Sequence, residues 1–277
     1  MPTEDTDLRK TEAPARPVDS ATVMLVRDGA DGVEVFMMQR HGKADFGGAW
    51  VFPGGVAAAT DEESDLEAVC TGRDDSSAST ELGLEAGGLR FWVAGIRETF
   101  EESGYLLACD AAGRYVDPGA AGREAEFARY RMALDTGRMS ALELCHREGL
   151  RLACDRMHYV SFWTTPEVLP RRYATRFFVA GVPPGQHGVH DGRETVESLW
   201  IRPCDALEPA MRKQLRLHPP TVSNLSLIRD FRTTGELLDA MAARDKASIR
   251  EILPKVVGGD DGHRVLMPWD DGYAEAG

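Results

Sequence analysis

Three glutamates, Glu98, Glu101 and Glu102, are spaced i, i+3 and i+4. On a helix this puts their carboxylates on one face with Cβ atoms about 5–6 Å apart. Three like charges that close repel, so a compensating cation belongs to the arrangement. Mg2+ or Mn2+ would serve, because hard divalent ions take oxygen ligands and stay partly hydrated. A hydrated metal site facing a glycine-rich loop suits hydrolysis of a phosphoanhydride, in which the metal clamps phosphoryl oxygens and activates water. Arg97 directly precedes the first glutamate and is placed to pin a carboxylate through a charge-assisted bond. Gly54 and Gly55 close the run Phe52-Pro53-Gly54-Gly55, where the missing Cβ atoms let backbone approach the helix closely.

The elements that must position these residues follow from periodicity. Residues 89–108 carry Phe91, Val93, Ile96 and Phe100 on one apolar face and stop at Gly104, which predicts a helix with a C′ glycine. Segments 21–26 and 33–39 are β-prone runs joined by Asp-Gly turn chemistry, a hairpin, and 49–52 is a strand entering the Pro-Gly-Gly turn. Segment 60–88, rich in acidic residues, serine and glycine, predicts one short helix and a solvated loop, within an insert of about 56–88. Helices are expected at 123–134 and 139–146, and strands at 157–163, 176–181 and 195–201. Pro219-Pro220 opens a helix reaching Asp230, and Thr233 with Glu236 offers a capping arrangement for another, so C-terminal helices fill about 206–255. The chain divides into a disordered leader, 1–18, one domain, 19–255, and an irregular tail, 256–277.

The 277 residues include 45 acidic and 32 basic side chains, a formal charge of −13. No Lys/Arg run exceeds two residues, which argues against a nucleic-acid partner. With 43% hydrophobic residues and a mean hydropathy of −0.31, the chain reads as globular with a sizeable core. It has no apolar run of the roughly 18 residues a membrane span requires, and its first 16 residues have no signal-peptide core, so the expected location is cytoplasmic. Cys70, Cys109, Cys145, Cys154 and Cys204 are odd in number and scattered, which predicts free thiols rather than a disulfide frame. A homodimer is the commonest oligomer such a chain would form.

The run Arg97-Glu98-Thr99-Phe100-Glu101-Glu102-Ser103-Gly104-Tyr105 resembles the second half of the Nudix box, and Phe52-Pro53-Gly54-Gly55 resembles its opening. Thr99 and Tyr105 stand at the box's two apolar positions. Arg97 follows Gly55 by 42 positions, about 28 more than in the usual box, which resembles the branch that includes coenzyme A diphosphatases with an interrupted box. Pro170 to Phe178, Glu194 followed by Trp200 and Pro203, and Pro219-Pro220-Thr221 are similar to that branch as well. The coenzyme A signature is matched at Arg40 and Phe46-Gly47, while Met37-Met38-Gln39 replaces its leading Leu-Leu-Thr.

The resemblance implies an α/β class Nudix fold, an α/β/α sandwich with a mixed sheet, carrying the box-interrupting insert and extra C-terminal helices. It implies metal ligands and a base among Glu98, Glu101 and Glu102, with Arg97 as the orienting residue. Asp61 sits where the box has a further glutamate. A carboxylate from outside the box is expected from Glu194 or Glu197, with Glu194 slightly ahead. Substrate contacts are expected from Gly54, Gly55, Arg40, Arg171 and Arg176. The implied reaction is Mg2+- or Mn2+-dependent cleavage of a pyrophosphate linkage in a nucleoside diphosphate derivative, coenzyme A or acyl-coenzyme A first. ADP-ribose, nucleotide sugars and dinucleoside polyphosphates are alternatives, as is a Nudix domain that senses nucleotides without turnover.

Overall fold

The computed structural model describes residues 14–42, 47–120, 122–190, 192–259 and 262–276. Residues 1–13 of the expected leader and Phe46 of the coenzyme A signature lie outside them. The first half of the fold comprises β1 (Val18–Gly29), β2 (Gly32–Arg40), β3 (Trp50–Val51), β4 (Gly54–Val56), α1 (Asp75–Leu82) and α2 (Leu89–Ser103). Next come β5 (Ala108–Cys109), α3 (Glu124–Asp135), α4 (Ala141–Glu148), β6 (Arg151–Leu152), β7 (Met157–Thr164), β8 (Tyr173–Gly181) and β9 (Thr195–Ile201). The last elements are α5 (Pro203–Met211), α6 (Pro219–Ile228), α7 (Thr234–Ala243), β10 (Glu251–Ile252), β11 (Lys255–Gly259) and β12 (Gly262–Leu266).

Eight strands form one mixed sheet in the order β10-β7-β8-β1-β2-β3, with β4 also paired to β1 and β9 to β2. The pairs β1–β8 and β10–β7 are parallel and the others antiparallel. Successive side chains on a strand point to opposite faces, and both faces here are covered. Val23 and Leu25 of β1 join Phe36 and Met38 of β2 under Phe91, Trp92, Ile96 and Phe100 of α2. Met24, Val26, Val35 and Met37 face Ala206, Leu225, Ile228 and Leu237 of α5, α6 and α7. The result is the expected α/β/α sandwich.

α2 lies close on the sheet because position 95 is glycine: a Cβ there would stand 3.0 Å from both Val23 Cγ2 and Met157 Cε. The helix stops at Gly104, at φ 78°, whose N–H donates to Phe100 O at 2.9 Å. Its N-terminus has no capping side chain of its own, and the inserted segment supplies one. Asp75 of α1 accepts from Gly87 N at 2.9 Å and Leu89 N at 3.0 Å, and Ser79 Oγ accepts from Gly88 N at 2.8 Å. These bonds satisfy first-turn donors and put a carboxylate at the positive end of the helix dipole.

Two expectations differ from the structure. The Pro-Gly-Gly run is no isolated turn, since Gly54–Val56 forms β4 against residues 20–22 of β1. Gly54 is required there, because a Cβ would stand 2.4 Å from Ala21 O. Part of the expected irregular tail is regular. β11 and β12 pair as a hairpin, and Trp269 packs edge-on against Trp163 of β7 with ring centroids 6.5 Å apart. Short, glycine-flanked strands of this kind leave little periodic signal.

Candidate active site

Arg97 is the centre of the site. Its Nε and Nη2 donate to the two oxygens of Asp61 at 2.9 and 2.8 Å, and Nη2 also donates to Val56 O at 2.9 Å. Nη1 donates to Glu98 at 2.9 Å and to both oxygens of Glu101 at 3.1 Å. The five guanidinium donors are thus engaged, and the side chains of Arg97 and Asp61 are 9% and 0% exposed. Asp61 in turn accepts from Ala58 N at 2.8 Å, which fixes the loop leaving β4 against α2.

The third glutamate is held differently. Glu102 accepts from Gly54 N at 2.8 Å, joining the helix to the start of β4. Gly55 lies so close to Glu98 that a Cβ would stand 2.5 Å from its carboxylate. Behind the set, Arg131 of α3 donates to Glu101 O and Glu102 O, both at 2.7 Å, and to Val189 O at 3.0 Å. A guanidinium thereby satisfies the last carbonyls of α2, where the helix dipole favours a cation.

The electrostatics are lopsided. Burial pushes the Glu98 carboxyl above its ordinary value, with Arg97 opposing. Burial, only partly offset by Arg97 and aggravated by Glu98, pushes Glu101 up to about 7. Glu102 is held well above the usual carboxylate range by burial and by the neighbouring charge of Glu98.

Two cavities meet at these residues. One of about 270 Å3 is bordered by Arg97, Glu98, Glu101, Glu102, Asp135 and Glu194. The second, of about 570 Å3, shares Glu98, Glu102 and Glu194 and adds Gly54, Gly55 and Arg40. Arg40 stands 3.7 Å from Glu194. Among the described residues, no three acidic, histidine or cysteine side chains already converge as a ligand cage. Arg97 and the Gly54 N–H take their oxygens instead. The donor set nevertheless fits a hard divalent cation: buried, all-oxygen, and more negative than Arg97 alone can balance.

The structure brings together Arg97, Glu98, Glu101, Glu102, Gly54, Gly55, Arg40 and Glu194, and it adds Asp61 to the same cluster. Glu197 lies exposed on β9 and borders neither cavity. Arg171 and Arg176, also expected at the substrate, border neither of these two cavities. Arg171 is exposed. Arg176 is buried on the opposite face of β8 from Thr175 and Phe177, which border the larger cavity, and it lies over the rings of Phe91 and Phe162 at 4.0 and 4.3 Å. Strand parity sends it into the core. Asp135, at the C-terminal end of α3, borders the smaller cavity without any motif to announce it, and its charge raises the Glu101 value further.

The family described as NUDT19 Nudix domain matches residues 74–228, a span that contains the glutamate helix and Glu194. The acyl-coenzyme A diphosphatase NUDT19 of Gallus gallus is 26% identical over 96% of this chain and 76% of its own length. The protein of that name from Homo sapiens is 25% identical over 89% of this chain and 74% of its own. Among solved structures, a NUDIX hydrolase from Alicyclobacillus acidocaldarius superposes with a TM-score of 0.66 at 24% identity, covering 81% of this chain and 96% of that one; this likeness shows the fold. Nudix hydrolases generally work with divalent metals. Since the family match spans more than half of the residues, this chain belongs to the NUDT19 Nudix domain family and is a Nudix hydrolase.

Proposed function

We propose that the chain hydrolyses the diphosphate linkage of coenzyme A or an acyl-coenzyme A, with Mg2+ or Mn2+ as the ion. The observation that carries this reading is the shared wall of the two cavities: the carboxylate cluster opens directly into a larger, mostly apolar space through Glu98, Glu102 and Glu194. A substrate with a diphosphate at one place and a long arm running from it suits both spaces, and the relatives named above are acyl-coenzyme A diphosphatases.

In this reading Glu98, Glu101 and Glu102 hold the ion, and Glu194 adds a carboxylate from the loop before β9. Such an ion neutralises diphosphate charge and makes a nearby water a better nucleophile. Arg97, locked by Asp61, keeps Glu98 and Glu101 turned inward. Arg40, at the border of the larger cavity, is placed to meet a phosphate. Glu98 and Glu194 are the candidate bases.

The test is product analysis with coenzyme A, an acyl-coenzyme A, ADP-ribose, a nucleotide sugar and a dinucleoside polyphosphate, each with Mg2+, Mn2+ or EDTA. Metal-dependent release of two phosphate-bearing products from the coenzyme A compounds is expected. Preferential cleavage of one of the others would overturn the substrate assignment.

A further inference from the structure

Resting on that substrate reading, we propose that the far end of the larger cavity takes the acyl chain of a fatty acyl thioester, and that the C-terminal hairpin sets the length of chain accepted. The cavity crosses three neighbouring strands: Thr22 of β1, Thr175 and Phe177 of β8, and Trp163 of β7 all border it. Adjacent strands lie about 4.8 Å apart, so the two steps from β1 to β7 span about 10 Å.

Polarity changes along that path. Arg40 of β2 and Glu194, just ahead of β9, lie on one side of β1, whereas β8 and β7 lie on the other. Hydroxyls of Ser20, Thr22 and Thr175 border the middle, with Ser20 Oγ and Thr175 Oγ1 paired at 2.6 Å. Beyond them Phe177, Trp163, Leu169 and Pro166 join Thr164 and Thr165 in the lining.

The hairpin closes the apolar end. β10 pairs with β7 at the sheet edge, and the chain turns from there into β11. Val256 and Val265 are direct cross-strand partners and both border the cavity. They therefore share one face of the hairpin, with Cβ atoms about 5 Å apart, and Val257 and Arg264 fall on the other. Val265 keeps 42% of its surface exposed, an apolar wall that an alkyl chain would cover.

The test is kcat/KM of the 277-residue chain with Mg2+ for free coenzyme A and its butanoyl, octanoyl and hexadecanoyl thioesters. Each methylene buried should raise kcat/KM about fourfold, until the chain fills the cavity and the gain stops. Val265→Trp should lower the octanoyl to free coenzyme A ratio at least about tenfold, the loss of two buried methylenes. Val265→Ala, which opens the same wall, should move the limit to longer chains and covers the case of a misfolded tryptophan variant. Cleavage of free coenzyme A with no dependence on chain length overturns this inference alone, as does a ratio untouched by both variants. Failure to cleave any of the four compounds overturns it together with the substrate reading.

Discussion

Asp61 and Arg97 stand 36 positions apart and meet in two hydrogen bonds of 2.9 and 2.8 Å, with almost no solvent reaching either side chain. The pair ties the start of the inserted segment to the helix that follows it. It closes the loop after β4 onto the helix that carries the three glutamates, so an interrupted motif is reassembled in space.

Asp61→Asn keeps the shape and removes the charge, leaving a buried guanidinium short of a partner. Breaking one side of a buried pair costs about 3–5 kcal/mol. Urea unfolding should show a loss of that order, and turnover should fall because Arg97 no longer holds Glu98 and Glu101 in place. Unchanged stability would contradict the pairing.

Gly55→Ala puts a Cβ against the Glu98 carboxylate. Here the carboxylate moves more easily than the backbone of β4, so the effect should fall on chemistry rather than on folding. We expect Mg2+ affinity or kcat/KM to drop about ten- to a hundredfold, the range seen when ligand orientation is disturbed. A melting temperature that collapses while the remaining folded fraction keeps full activity would argue the reverse.

Protonation of Glu101, pushed up to about 7 from 4.5, links the cluster to pH. Its folded value lies above its unfolded one, so its contribution to stability is fully present below about pH 4.5 and is lost as pH rises towards 7. The loss is of the order of 3 kcal/mol. A divalent cation binds the deprotonated carboxylates, so stabilisation by metal should grow over the same window. Thermal melts at pH 5, 6, 7 and 8, with EDTA or Mg2+, should show the metal-induced shift widest at pH 8, and Glu101→Gln should lessen the slope of the EDTA series, with Glu98 and Glu102 supplying the remainder. A Mg2+ shift equal at every pH would contradict the cluster's role.

Asp75→Ala tests what the inserted segment does. Loss of a capping carboxylate costs about 1 kcal/mol, and Asp75 serves both Gly87 N and Leu89 N, so a loss of about 1–2 kcal/mol in denaturant unfolding is expected. No loss would mean the N-terminus of α2 is satisfied without the insert.

The helix was legible because its signals are local: apolar spacing, glutamates on the other face, and Gly104 at the end. The hairpin of β1 and β2 was legible for the same reason. Arg176 was expected at the substrate from its motif neighbours, whereas β8 parity turns it away from the face of Thr175 and Phe177 and packs it against Phe91. Asp135 was invisible, since its place depends on how α3 lies across the end of α2. The hairpin at 255–266 was missed because two five-residue strands rich in glycine carry no period, yet they wall the larger cavity. Local chemistry was readable, and residues that reach the site through tertiary packing were not.

The most direct test compares coenzyme A hydrolysis in Mg2+ by the wild-type chain and by Glu102→Gln, with a thermal melt of each. The amide still accepts from Gly54 N but is a poor ligand for a hard cation, so the fold should hold. Turnover should fall by about two orders of magnitude or more, about 2.7 kcal/mol of barrier, with no loss of melting temperature. Turnover equal to wild type in the folded variant would contradict the assignment of the glutamate face as the catalytic centre.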